Sequence, residues 1–356
     1  MKYRLFLIIA TFAVLGSTIT SCSLDDELRV APNDGDPKTP ISFNVNIGSL
    51  PEVEVSTRGA SKDATKAGYI FVSGDKVCVA VKGDGTSSNR STTEDPKLYY
   101  VAAGDAGTTG SAKGLSYAGA VATDAFNWLS KTETVYMRAW CWGTSDTTTD
   151  DPDGAVFSIE TSTGVSTQSG ASVKELLYSP STSYTWTDAN SNGIPDDVVI
   201  PLHHQMARIV VNVSSTITTG VSVTGVQIGH TDYKIPLSGK YAKPSSGNYG
   251  SWDLTSVTPT TGVINAKEET SGSVYSAVVI PAGTSTYAAG NRFIVISTAS
   301  SGTFCYTIPT GGFNFEPGKQ YTFTITNLNQ IDFNVTVSAW DGGSSEPAAT
   351  DLTFSN

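Results

Sequence analysis

Apolar residues recur at every second position in many short runs along this chain, and that period admits little besides β-strands. The clearest run is 331–339, where Ile331, Phe333, Val335, Val337 and Ala339 alternate with Asp332, Asn334, Thr336 and Ser338. Successive strand side chains point to opposite faces, so this run predicts one face on a core and one in water. Ile41, Phe43, Val45 and Ile47 predict a first strand of the same kind, and Val77, Val79 and Val81 another after Gly74-Asp75. Residues 209–213 are apolar apart from Asn212, and 293–296 are wholly apolar, as suits strands buried on both faces. Gly83-Asp84-Gly85, Gly318-Lys319 after Pro317, and Gly342-Gly343 mark turns between the runs. Long helical patterns are missing. Residues 174–178 fit one helical turn, and the Gly/Ala-rich stretch 101–125 fits a long loop or a short helix. The expected fold is all-β, with two β-sandwich domains in tandem, because 356 residues exceed one domain of roughly 100–200. A Ser/Thr-rich interruption at 214–220 sets the expected division into domains 59–216 and 217–356.

The first residues carry a different signal. Lys2 and Arg4 precede an apolar stretch over 5–15, too short to span a bilayer permanently, and Ile19-Thr20-Ser21-Cys22 follows. This predicts a signal peptide over 1–21. The last four residues resemble the bacterial lipobox, in which the cysteine thiol is acylated and becomes the new N-terminus, so Cys22 is the expected lipidation site. The alternative is an ordinary secretory signal with a chance cysteine. Asp, Pro and Gly without periodicity over 23–40 read as a flexible stalk. Residues 22–58 then form a lipidated linker and pro-segment that contains the first strand.

Charge and chemistry exclude several classes. The chain has 22 basic against 33 acidic residues and no basic run, which argues against a nucleic-acid partner. Cys78, Cys141 and Cys305 form no CxxC pair and sit in apolar strand-like runs, so they read as buried small side chains; at most one disulfide is open to the three. His203, His204 and His230 lack a zinc-helix spacing, and His203 reads as a strand-end or core residue. Residues 114–119 miss a nucleophile elbow by one position. No catalytic residue, enzyme activity or cofactor is expected. One cation candidate exists: Asp188, Asn190, Asn192 and Asp196 fall at positions 1, 3, 5 and 9 of a calcium-type loop, with Gly193 at 6. Val199 stands where the bidentate acid belongs, unless Asp196 or Asp197 substitutes as in thrombospondin type 3 repeats. The competing reading is a plain Asp/Asn/Gly turn between strands. Six tryptophans would suit a glycan platform if exposed, although Trp140 and Trp142 flank Cys141 and can simply pack.

Several motifs, in order, resemble the fimbrillin-like (type V pilus, Mfa/FimA-like) subunits of Bacteroidetes. They are Phe43-Asn44-Val45, Thr57-Arg58-Gly59 and Gly74-Asp75-Lys76-Val77, then Leu176-Leu177-Tyr178 with the run 200–208. The sequence 315–322 and the closing run 335–343 complete the pattern. Asp25-Asp26-Glu27 resembles the acidic stretch that sends lipoproteins of such bacteria to the outer face of the outer membrane. The resemblance implies two transthyretin-like β-sandwich domains and a structural pilus subunit that aids adhesion. It implies export as an outer-membrane lipoprotein, cleavage between Arg58 and Gly59 by a trypsin-like protease, and polymerisation by strand exchange with other pilus subunits at the cell surface. Leu352 and Phe354 are the candidate donor-strand residues. An anchor or tip subunit of the same pilus, or a surface glycan-binding lipoprotein, are the alternatives.

Overall fold

The structure is a computed structural model, and it describes residues 39–47, 74–102, 113–120, 124–142, 149–168, 175–214, 221–256, 258–300, 302–328 and 332–340. Those residues are all-β: they hold strands and turns and no α-helix, hence no helix long and apolar enough to cross a membrane. The alternating run near the end forms the strand Asp332–Ala339, and the first alternating run forms Phe43–Ile47.

Two cores organise the chain. The first is enclosed by a seven-stranded sheet that closes on itself. Its order is Leu177–Thr185, Val198–His204, Phe43–Ile47, Lys113–Tyr117, Asp95–Val101, Lys76–Gly83 and Thr134–Cys141, which returns to Leu177–Thr185. All these pairs are antiparallel except Val198–His204 with Phe43–Ile47. Inward-facing Val77, Val79, Val81, Val135, Met137 and Ile200 fill the interior. Closure leaves the sheet no free edge.

The second core lies beneath a five-stranded sheet, ordered Lys267–Thr270, Val274–Val279, Ala207–Val213, Lys319–Asn327 and Asp332–Ala339. Opposite it run Val223–Ile228, Arg292–Thr298 and their neighbours. Phe293, Phe313, Phe315 and Phe323 pack between them, with centroids as close as 5.4 Å. Ala207–Val213 sits in the middle of its sheet, parallel to Lys319–Asn327, which accounts for its apolar sequence on both faces.

Three expectations are corrected. The helical turn over 174–178 is replaced by the strand Leu177–Thr185, because Leu177 pairs with both Cys141 and His204. The stretch 101–125 contains the strand Lys113–Tyr117, and at the end of the expected stalk Thr39 and Pro40 pair with Trp128 and Asn127, while 23–38 lie outside the described residues. Strand pairing also does not follow a division at 216: Ala207–Val213, Val156–Ser158 and Val165–Thr167 all pair with strands of the second half.

The change of core falls at Gln205-Met206, with no linker between His204 and Ala207. Gln205 is fully buried and uses its whole hydrogen-bonding capacity. Its amide donates to His203 O at 2.9 Å and Asn248 O at 3.0 Å, and its carbonyl accepts from Gly250 N at 2.8 Å and Tyr241 Oη at 3.0 Å. The outer face of the barrel adds Cys78, Ala80, Trp140 and Tyr178 to the second core. Arg138 lies 4.7 Å from the Trp140 ring centroid and pairs with Asp151 at 2.7 Å and with Glu94.

Candidate functional site

The site is the slot held by the first strand. Ile41, Phe43, Val45 and Ile47 alternate with Ser42, Asn44 and Asn46, so one edge of this short segment is apolar and the other polar. The apolar side chains enter the barrel: Phe43 is 1% and Val45 0% exposed, and Ile41 is buried with them. Val198, Val199, Ile200, Pro201 and Leu202 pair in register with residues 43 to 47 on one side. Leu115, Gly114 and Lys113 pair with Phe43, Asn44 and Val45 on the other. The segment extends upstream of the barrel, where Thr39 and Pro40 pair with Trp128 and Asn127, and Ile41 N donates to Phe126 O at 2.8 Å.

Phe43 occupies an aromatic pocket, edge-on to Tyr99 at 5.2 Å and to Phe126 at 6.3 Å. The pocket is braced, since Phe126 N donates to Tyr99 Oη at 3.2 Å, and burial pushes the Tyr99 phenol well above its ordinary range. Without this strand the barrel would present two unpaired walls, Val198–His204 and Lys113–Tyr117, over an open apolar interior.

Cys22, Arg58, Gly59, Leu352 and Phe354 lie outside the described residues. The cation candidate lies within them, in a loop beside the slot where Asn44 Nδ2 donates to Asp197 Oδ2 at 3.1 Å. The donor oxygens are engaged by the loop's own amides. Asp188 accepts from Asn192 N at 3.1 Å and Gly193 N at 2.7 Å, and Asn190 accepts from Asn192 N at 3.1 Å. Asn192 accepts from Ile194 N at 2.8 Å, and Asp196 accepts from Ala189 N at 3.0 Å. Gly193 takes the left-handed conformation at φ 81°, which suits the tight turn. Among the described residues no three His, Cys, Asp or Glu side chains group as a metal site.

The remaining sequence candidates are absorbed into packing. His203 and His204 are buried; His204 meets Glu175 and stacks on Trp340 with centroids 3.8 Å apart. Cys78 and Cys141 are buried and Cys305 is half-buried, and no disulfide joins them. Trp128, Trp140 and Trp340 are fully buried, and Trp142, Trp186 and Trp252 are half-buried. Sequence reasoning missed the slot's walls and its Tyr99–Phe126 pocket. The apolar run at 198–200 was the available signal, but it does not name its partner.

Two strand-built cores, the first completed by the strand Phe43–Ile47, make the described residues an all-β architecture of packed antiparallel and mixed sheets. The sequence pattern of the fimbrillin-like family matches residues 58–340, and the chain belongs to that family of structural fimbrial subunits, found at the cell surface. Its fold is similar to that of a protein named for cell adhesion from Bacteroides uniformis, at 15% identity and TM-score 0.52, covering 87% of this chain and 99% of the other. A Bacteroides ovatus protein of the same description matches at 14% identity and TM-score 0.51, covering 85% and 96%. The tip fimbrial protein Mfa3 of Porphyromonas gingivalis, truncated at its C-terminus, matches at 8% identity and TM-score 0.46, covering 84% and 100%. No curated protein matches the sequence.

Proposed function

We propose that this chain is a polymerising subunit of a surface pilus, exported as a lipoprotein through Cys22 and matured by a trypsin-like protease between Arg58 and Gly59. Cleavage there lets the segment carrying residues 39–47 leave, and a strand from another subunit, with Leu352 and Phe354 as its apolar residues, takes the slot. The observation that carries this reading is the place of Phe43–Ile47: it completes the first core between two barrel walls, yet lies upstream of Arg58 and can depart without breaking the rest of the chain. The family match beginning at residue 58 supports it. An exposed edge with apolar pockets is what strand addition requires.

The glycan-binding alternative loses its main feature, because all six tryptophans are buried or half-buried. Limited trypsin treatment of the full-length protein tests the maturation step. The expected product begins at Gly59, loses the N-terminal fragment, and forms ladders on an unboiled denaturing gel. A folded chain cut elsewhere but resistant at Arg58 defeats the reading, as does a cut chain that keeps its fragment and stays monomeric.

A further inference from the structure

Building on that reading, we propose that the slot runs on beyond the barrel. The strip 124–129, set in place by Arg90 and Glu133, is a second grip on the backbone of whatever strand fills the slot. Its partner is an extended segment of another subunit that reaches past the Phe43 pocket to the places of Ile41, Pro40 and Thr39.

The strip's inner edge is the first argument. Thr39 and Pro40 pair with Trp128 and Asn127 as a two-stranded sheet of their own, and Ile41 N donates to Phe126 O at 2.8 Å. Bonded and non-bonded pairs alternate along an antiparallel ladder, so Pro40 and Asn127 form a non-bonded pair. A proline costs no hydrogen bond there, and the Asn127 carbonyl turns away from the first segment. The barrel walls Val198–His204 and Lys113–Tyr117 each keep a second neighbour when the first strand leaves. Among the described residues, the strip pairs with no other strand, so departure removes its whole ladder.

Anchorage is the second, because side chains hold the strip where a further strand would. Arg90 Nη2 donates to Asn127 O, and Leu129 N donates to Glu133 Oε2 at 2.7 Å. Lys97 Nζ donates to Asp124 O, and Phe126 N donates to Tyr99 Oη at 3.2 Å. Glu133 is fully buried and also accepts from Arg90 Nε at 2.7 Å, Arg90 Nη2 at 3.3 Å and Ser88 Oγ at 2.8 Å. None of these side chains belongs to the first segment, so they remain when it leaves and keep the inner edge presented. Phe126 O then lacks its partner, and a buried backbone group left unpaired is costly. A strand that reaches it restores the bond with any non-proline residue at the place of Ile41. One that stops at the Phe43 pocket does not.

Space is the third argument, and it gives Arg90 and Glu133 their part. A cavity of about 270 Å³ borders the strip, lined by Arg90, Lys97, Ala125, Phe126, Asn127 and Leu129 among others. Packing does not pin the strip on that side, and it can shift into the space unless the Arg90–Glu133 pair holds it. Glu133 is a positioning residue for the grip, acting through Leu129 and Arg90.

Two peptides copied from the first segment test this, one spanning residues 39–47 and one 42–47. Each competes with the N-terminal fragment for the slot of the trypsin-cleaved full-length chain in detergent. The longer should displace the fragment at a concentration at least about tenfold lower, since it adds buried Ile41 and the bond to Phe126 O. Methylating the Ile41 nitrogen of that peptide should remove most of the advantage. In Glu133→Gln, and in Arg90→Lys should the first variant fail to fold, the advantage should shrink to about threefold or less while the short peptide keeps its potency. A barrel that is merely destabilised would change both peptides alike. Equal potency of the two peptides, or an advantage untouched by either variant, overturns the proposal and leaves strand exchange standing. The uncut chain gives a reading that needs no cleavage. There the same variants should speed amide exchange at Ile41 at least about tenfold and at Val45 by less than about threefold, and equal changes overturn the grip. A cleaved chain that yields its fragment to neither peptide overturns the strand-release reading, and the length selection with it.

Discussion

Replacing Phe43 by alanine measures how far the first core depends on the first strand. Phe43 is 1% exposed, and removing a buried phenylalanine costs about 3–5 kcal/mol in transfer and cavity terms. Its two edge-on partners make the upper end the better expectation, since such pairs add about 0.5–1.5 kcal/mol beyond area. The cavity cannot close easily either, because the Phe126 N to Tyr99 Oη bond at 3.2 Å holds its walls apart. We expect Phe43→Ala to lower the unfolding free energy of the first core by about 4–5 kcal/mol. Ile47 is only half-buried at the barrel rim, so Ile47→Ala should cost about 1 kcal/mol. The assay is urea unfolding of the uncut chain followed by tryptophan fluorescence, with the two cores fitted as separate transitions if they part. A Phe43→Ala cost below about 1 kcal/mol, or one equal to that of Ile47→Ala, would refute the claim that this strand completes the core.

Gln205→Leu strips partners from Gly250 N, Tyr241 Oη, His203 O and Asn248 O, and should cost at least about 2 kcal/mol by denaturant unfolding; a neutral result removes it as the fastener between the cores. Gly318 sits at φ 70° with the Tyr249 ring where a Cβ would project, so Gly318→Ala should cost about 2 kcal/mol or more, and distinctly less in a Tyr249→Ala background; equal costs contradict the clash. Asp188→Ala should lower stability by about 1 kcal/mol even in excess chelator, because Asn192 N and Gly193 N lose their acceptor; a loss seen only when calcium is present would show that the metal, not the amides, holds the loop. Burial, with Glu268 adding to it, pushes Tyr275 up to about 12, and burial pushes Tyr321 up to about 12. Unfolded tyrosines ionise near pH ~10, so this contribution is complete below that pH and is lost as pH rises toward 12. Urea midpoints should therefore fall across that window as phenolate absorbance appears with unfolding, and flat midpoints would count against it.

Local patterns were legible, and long-range pairing was not. Residues 331–339 and 41–47 show their strands, and the inward set of Phe43 and Val45, through period two alone. Nothing local says that Phe43 will lie beside Val198, more than 150 residues away, or that the sheet will close. The helical reading of 174–178 failed because Leu176-Leu177-Tyr178 is a short apolar run, ambiguous in period until Cys141 and His204 supply neighbours for Leu177. The division at 216 leaned on a Ser/Thr-rich stretch, whereas the cores change at the buried pair Gln205-Met206, whose composition gives no sign of a boundary. In the loop from 188 the oxygen donors were visible, but not that backbone amides would engage them.

The energetics of the slot constrain how any exchange can proceed. Burying Ile41, Phe43 and Val45 is worth about 5–9 kcal/mol in total, an upper estimate because an unfolded chain also buries some surface. A domain's whole stability is about 5–15 kcal/mol, so an empty slot is nearly as costly as unfolding the first core. Release and replacement must then be coupled, with the incoming strand pairing along one end as the outgoing strand peels from the other. Leu352 and Phe354 return only about 3–6 kcal/mol, since they leave the Ile41 site unfilled. Side-chain burial alone therefore does not favour exchange over the original strand. Under the proposed scheme, cleavage at Arg58 tips the balance: it turns a tethered strand at millimolar effective concentration into a free fragment that dilutes away, while the replacement stays tethered to a subunit. In that scheme the protease would act as the switch, by ending the first strand's advantage of attachment.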